Sequence, residues 1–148
     1  MVDPADVPAL MLAAARGDAD AQLLIAEECR SRVVAGDMDQ LFGSMEGVTY
    51  ARMAAMNGRT KALPLLARHT RELSCYCASA GAEDMAADHY GHAMAIMEIM
   101  ADHMPLDEAD GIRAEIDAAA ERNPAQVMEA AKFYRALWAP LIGVEAFA

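Results

Sequence analysis

The sequence has few basic residues and no long apolar run, and these two shortages exclude whole classes of protein. Lys and Arg number 12 against 23 Asp and Glu, which makes the formal net charge −11. Nucleic-acid phosphates and anionic membrane surfaces need a basic binding face, so we expect neither as a partner. No apolar run is long enough to span a membrane, and the opening MVDPADVPALM has no basic segment of the kind that signal peptides carry.

Cysteine and strand patterns are scarce as well. The three cysteines, Cys29, Cys75 and Cys77, show no metal-binding spacing, and an odd number of them fits reduced thiols in the cytoplasm. No stretch alternates apolar and polar residues as a strand does. By contrast, Ala supplies 34 residues and Met 12, and both are good helix formers. We therefore predict an all-α protein in the cytoplasm.

An internal repeat marks the first half of the chain. Small and apolar residues recur after 41 positions in five pairs: Ala13 and Ala54, Ala14 and Ala55, Gly17 and Gly58, Ala21 and Ala62, Leu24 and Leu65. A glycine in the left-handed conformation ends a helix, and Pro64 suits the first turn of the next one. Such short connections make neighbouring helices antiparallel, so each repeat is predicted to contain two helices.

These residues resemble the Sel-like repeat, a relative of the tetratricopeptide repeat. The pattern is carried in the first copy by Ala14, Gly17, Ala21 and Gln22, and in the second by Tyr50, Ala54, Ala55, Gly58, Ala62 and Leu66. The match covers about half of the chain. It departs from the family at Ala26 and Ala67, where a glycine is usual, and at Cys29 and Thr70, where a tyrosine is usual. The resemblance implies an α-solenoid of bacterial type that binds other proteins.

We predict one domain of about seven helices, arranged as antiparallel pairs in a short superhelix. Its parts are repeat-like units at about 5–43 and 44–81, divergent helices over 82–139 and an apolar tail at 140–148. Within it, residues 36–47 are predicted to form a loop, and the third helix to begin near Met45. The fifth helix is predicted over 82–104, with Gly91 on its polar face, where it permits a bend.

A basic cluster stands out in this acidic chain: Arg59, Lys61, Arg68 and Arg71. Such a cluster suits an acidic peptide or a carboxylate terminus, and the alternative is a solvated helix face. For a groove between stacked helices, we predict four partner contacts: Tyr50, Arg68, Arg71 and Tyr76.

Two further groups could carry chemistry. Cys75 is predicted to project beside Arg71, whose charge would lower the pKa of the thiol, but His69 points to the apolar edge and offers no base. We expect Cys75 to be a surface thiol without a role.

His89 and His92 are three residues apart and could hold one metal ion, whereas His103 is too far along the helix. Without a metal, we expect His89 in the core and His92 exposed.

The first hypothesis is therefore a non-enzymatic adaptor without a cofactor, which holds a protein or peptide in a groove between stacked helices. The alternative is a helical bundle that binds a metal or a small ligand through His89 and His92. The tail after Pro140 is apolar and not periodic, so we expect it to cover the last helix pair or to dock on a second copy as a homodimer.

Overall fold

Helices are the only regular secondary structure in the part of the chain that the structure describes. The computed structural model describes residues 2–101 and 106–141, apart from the side chains of 106–109, 112 and 141. Seven α-helices lie within it: α1 (Val7–Ala15), α2 (Ala19–Ala35), α3 (Gln40–Met56), α4 (Ala62–Ser79), α5 (Glu83–Met100), α6 (Leu106–Arg122) and α7 (Pro124–Trp138). No strand occurs in these residues, so the all-α prediction is confirmed. The predictions for His103 and for tail residues 142–148 lie outside them.

Two compact units divide the chain, Met1–His69 and Thr70–Ala148, and the division falls inside α4. In the first unit α1 packs on α2, and α2 packs on α3. In the second unit α5 packs against α6 and α7, and α6 contacts α7. Alanines occupy much of both cores, because a small side chain lets two helix backbones come close. Fully buried examples are Ala14, Ala26, Ala51 and Ala54 in the first unit, and Ala93, Ala95 and Ala131 in the second.

The two repeated turns have the same backbone geometry. Gly17 and Gly58 both have a positive φ, +93° and +96°. The N–H of the residue after each glycine donates to a carbonyl five residues back, from Asp18 to Ala13 at 3.1 Å and from Arg59 to Ala54 at 2.8 Å. These bonds define a Schellman helix end, which favours glycine because side chains with a Cβ resist a positive φ. Both predicted helix stops are confirmed.

Helix α3 begins five residues earlier than predicted, so the predicted loop over 36–47 is wrong from Gln40 onward. Asp39 caps the helix, because its Oδ2 accepts the N–H of Phe42 at 3.1 Å. Gly47 therefore lies inside α3, and the buried ring of His69 occupies the space where a Cβ would stand. The Nε2–H of His69 donates to the carbonyl of Ala26 at 3.1 Å, which ties α4 to α2. The glycine is thus a close-packing position.

Helices α5 and α7 also meet at a glycine. A Cβ on Gly91 would stand 2.5 Å from the Cβ of Ala130 and 2.6 Å from the carbonyl oxygen of Val127. Gly91 is buried, so the expectation of a polar-face glycine that permits a bend is wrong. The contact explains why a flexible residue stands in the middle of a long helix, since any side chain here would push α7 away.

Candidate functional site

An open cleft of about 440 Å³ lies in the first unit between α1, α2 and α3. We call it the apolar cleft, and its principal lining residues are Leu10, Met11, Ile25, Met38, Phe42 and Tyr50. Its floor continues into the core, because Leu10, Met38 and Tyr50 pack on the buried cluster that contains Ile25 and Cys29. The cleft therefore leaves part of the hydrophobic core open to solvent, and a bound apolar group would cover that part.

Helical spacing explains how α3 contributes to this cleft. Phe42, Glu46 and Tyr50 stand four residues apart and so share one face of the helix. Phe42 and Met11 remain 56% and 39% exposed, although both are apolar. Large apolar side chains gathered around one cleft are typical of a binding surface, whereas single exposed ones are common on any protein.

Charged groups line part of the cleft. The carboxylate of Glu28 accepts the Nε–H of Arg32 at 2.9 Å and the backbone N–H of Val2 at 3.0 Å. The Val2 hydrogen bond, followed by the pairing with Arg32, lowers the pKa of Glu28. This arrangement holds the N-terminal residues against α2, where Val2 and Pro4 line one side of the cleft.

Burial raises the pKa of two titratable groups on the floor of the cleft, Cys29 and Tyr50. Desolvation, aided by the negative charge of Glu46, raises the pKa of the Cys29 thiol to about 11. The same two causes raise the pKa of Tyr50. Cys29 therefore stays protonated near neutral pH and is a poor nucleophile. The cleft offers apolar contact, a phenol and carboxylates, which suits binding better than covalent chemistry.

A second cleft of about 550 Å³ lies between α2 and α4 in the same unit. We call it the basic cleft, because Arg30, Lys61 and Arg68 line it together with one acid, Glu27. Arg68 was predicted as a partner contact and lies here, whereas Tyr50 lies in the apolar cleft. The two predicted contacts of the first unit therefore belong to different clefts.

The structure divides the predicted basic cluster. Arg59 forms a two-fold ion pair with Asp20, whose pKa is lowered by that hydrogen bond. In the second unit, Arg71 donates to Glu115 at 2.9 Å, and its guanidinium is therefore already engaged. Tyr76, also in the second unit, is 43% exposed. Sequence spacing could not reveal these partners, because Asp20 and Glu115 are 39 and 44 residues away from their arginines.

Cys75 differs from its predicted environment. It is half-buried, and its Sγ lies 3.4 Å from Oε2 of Glu115 and 3.6 Å from the hydroxyl of Tyr90. Burial is the main reason why the pKa of Cys75 is raised, and the charge of Arg71 lowers it less. The expectation of a surface thiol is wrong, and the raised pKa makes this thiol less reactive than a free cysteine.

His92 was expected to be exposed, but it is fully buried. Its Nε2 accepts the indole N–H of Trp138 at 3.1 Å, and its ring stacks on Tyr134 with centroids 3.8 Å apart. His89, expected in the core, is half-buried. Because Nε2 of His92 already accepts the hydrogen bond from Trp138, this nitrogen is not available to bind a metal ion together with His89. No group of three or more His, Cys, Asp or Glu side chains within residues 2–101 and 106–141 is placed to hold a metal ion.

Sequence reasoning missed Phe42 because it placed this residue in a loop, and it gave no role to Met38, which does lie in the loop before α3. The usable signal was the four-residue spacing of Phe42, Glu46 and Tyr50, together with Asp39 as a helix cap. Leu10 and Met11 were recognised only as part of the first helix. Their exposure depends on how α1 lies against α2, which local patterns do not specify.

Comparison of the chain with protein-family models, with curated proteins and with solved structures found no match in any of the three. The resemblance to the Sel-like repeat therefore stays a prediction. Among the described helices, none has both the length and the apolar character needed to cross a membrane.

Proposed function

We propose that this protein is a non-enzymatic adaptor whose apolar cleft holds an apolar segment of a partner protein. The observation that carries the proposal is the exposure of Phe42 and Met11 around a cleft that opens onto the core. Its volume of about 440 Å³ falls within the range of ~300–1,000 Å³ that is usual for ligand sites.

The chemistry of the lining supports an adaptable contact. Met11 and Met38 have flexible, polarisable side chains, which can fit different apolar shapes. Complete burial of a Met or Phe side chain contributes roughly 1.5–3 kcal/mol, so covering the exposed part of Phe42 and Met11 contributes on the order of 1 kcal/mol each. That gain favours a modest, reversible interaction unless the partner also contacts other surfaces.

Other features agree with an adaptor in the cytoplasm. All three cysteines are free, and the pKa of each thiol is raised by burial, as expected of structural thiols in a reducing compartment. The matched turns at Gly17 and Gly58 support the repeat on which the Sel-like resemblance, and with it a bacterial origin, was inferred. The net charge of −11 makes nucleic acid and anionic membrane unsuitable partners.

Site-specific photo-crosslinking tests this proposal. A photo-reactive amino acid is placed at Phe42 in one variant and at Met45 in another, and both are expressed in cells where the protein occurs naturally. Met45 is the matched control, because it is 53% exposed on the same helix and does not line the cleft. We expect a discrete protein adduct from position 42 that is absent or much weaker from position 45. Equal adducts from both positions would contradict the assignment of the cleft.

A further inference from the structure

Glu46 is the one carboxylate of the apolar cleft that no cation of the described residues neutralises. It stands between Phe42 and Tyr50 on α3 and is half-buried. No hydrogen bond or ion pair joins its carboxylate to another side chain within the described part of the chain. A partly buried carboxylate without a counter-ion favours the approach of a positive charge.

The other charges of the cleft are already satisfied. Arg32, its only cation among the lining residues described, pairs with Glu28 at 2.9 Å. Glu28 also accepts the N–H of Val2. With these two charges cancelling each other, Glu46 leaves the cleft with a local charge of about −1, which a cationic group of a ligand would compensate.

The effect of Glu46 extends to the cleft floor. Its charge is the second cause, after burial, of the raised pKa of both Cys29 and Tyr50. Two groups on different helices thus experience the same negative potential. Such a potential inside an apolar recess attracts a cation more strongly than an exposed carboxylate does, because water screens it less.

We propose that the partner segment held in the apolar cleft is a peptide that carries a lysine or arginine beside its apolar side chains, and that this cation pairs with Glu46. The proposal rests on the function proposed above and specifies the chemistry of the partner. The apolar side chains cover Phe42 and Met11, while the ammonium or guanidinium reaches the carboxylate. The net charge of −11 adds long-range attraction for a basic segment.

Selection from a random peptide library tests the proposal. Phage-displayed peptides of about fifteen residues, long enough for a few helical turns, are selected on the full chain. They are then depleted on the Phe42→Asp variant, which leaves the core intact because Phe42 is exposed. The affinities of the selected peptides are measured for the wild type, Glu46→Gln and Glu27→Gln. Glu27→Gln is the matched control, because it removes the same charge from a residue that lines the basic cleft and not the apolar cleft.

The expected result is a set of peptides that combine apolar residues with Lys or Arg. These peptides should bind Glu46→Gln about fivefold more weakly than wild type, the loss typical of one partly exposed ion pair. Glu27→Gln should bind them as the wild type does. Neutral or acidic peptides, or an equal loss with Glu27→Gln, would overturn the pairing with Glu46 and leave the adaptor function standing.

Two other outcomes would show that the apolar cleft does not bind a segment of another protein. If no selected peptide depends on Phe42, the proposed function and the inference both fall. If the wild type is a dimer in sedimentation equilibrium and Phe42→Asp is a monomer, a second copy of the chain occupies the cleft. Each variant is first shown to have the wild-type circular dichroism spectrum and thermal midpoint. A change in affinity or oligomeric state then reports on binding and not on folding.

Discussion

Trp138 donates its indole N–H to Nε2 of His92 at 3.1 Å, and both side chains are fully buried in the second unit. An indole nitrogen only donates, so Nε2 of His92 must carry no proton. The imidazole is therefore neutral, with its hydrogen on Nδ1. Tyr134 stacks on the same ring and donates its hydroxyl to Asp88 at 3.2 Å, which links α7 to α5 at a second point.

Replacing Trp138 by Phe should destabilise the second unit by at least about 2 kcal/mol, because it creates a cavity and removes the donor to a buried nitrogen. Urea unfolding followed by circular dichroism measures the change. The double variant with His92→Leu should lose less stability than the sum of the single variants, since it no longer buries an imidazole whose donor is missing. Strict additivity would show that the hydrogen bond contributes nothing.

A methyl group at Gly91 should be far more harmful than one at Gly111. Gly91→Ala places a Cβ against Ala130 and the backbone of α7, so we expect a loss of about 1–3 kcal/mol or more. Gly111 is a matched helical glycine on α6 with nothing within 4 Å of the added Cβ. Gly111→Ala should stabilise by about 0.5–1 kcal/mol, because alanine is the better helix former. Similar effects of the two changes in thermal melts would contradict close packing at Gly91.

At Gly58, the effect of a substitution on stability should depend only on how readily the new residue adopts a positive φ. Nothing lies within 4 Å of a Cβ added there, yet φ is +96°. Gly58→Val should therefore cost about 1–2 kcal/mol, and Gly58→Asn clearly less, because asparagine tolerates the left-handed region better. Chemical denaturation of both variants measures the difference. Equal stability of the valine variant and the wild type would mean that the Schellman turn is not required.

Sequence patterns revealed those features that depend on one residue's own backbone. Gly17 and Gly58 were recognisable as helix ends because a left-handed turn favours glycine wherever it occurs. Gly47 and Gly91 were misjudged because their role depends on a neighbour from another helix, His69 in one case and Ala130 in the other. Helical periodicity thus predicted the all-α fold, while the identity of close-packing glycines required the tertiary contacts.

The candidate site was predictable to a smaller extent. Tyr50 was identified, and it lines the apolar cleft. Arg71 was identified for its charge, but its ion pair with Glu115 joins residues 44 positions apart and leaves no local sign. Phe42 was missed because two glycines nearby suggested a loop. The tertiary structure decides which charged side chains form ion pairs, so these pairs cannot be predicted from a single sequence.

Alkaline pH should weaken the wild type more than a variant without Cys29. The thiol's pKa is about 11 in the folded chain against an ordinary value of 9.0, so the folded state holds the proton more tightly. The resulting stabilisation is complete below about pH 9 and is lost as pH rises towards about 11, which lowers the free energy of unfolding by up to about 3 kcal/mol. Urea midpoints of the wild type and of Cys29→Ala over this range give the comparison. Parallel pH profiles would contradict a buried, protonated thiol.

Methionine methyl NMR tests the central claim, that the apolar cleft binds a partner segment, most directly. The methyl carbons are labelled with carbon-13, and the chain is titrated with a peptide selected for dependence on Phe42. Met11 and Met38 line the cleft, whereas the exposed Met45 and Met56 do not. The account predicts saturable shifts of the Met11 and Met38 resonances, with those of Met45 and Met56 unchanged. Saturable shifts at Met45 or Met56 with Met11 and Met38 unmoved would contradict it.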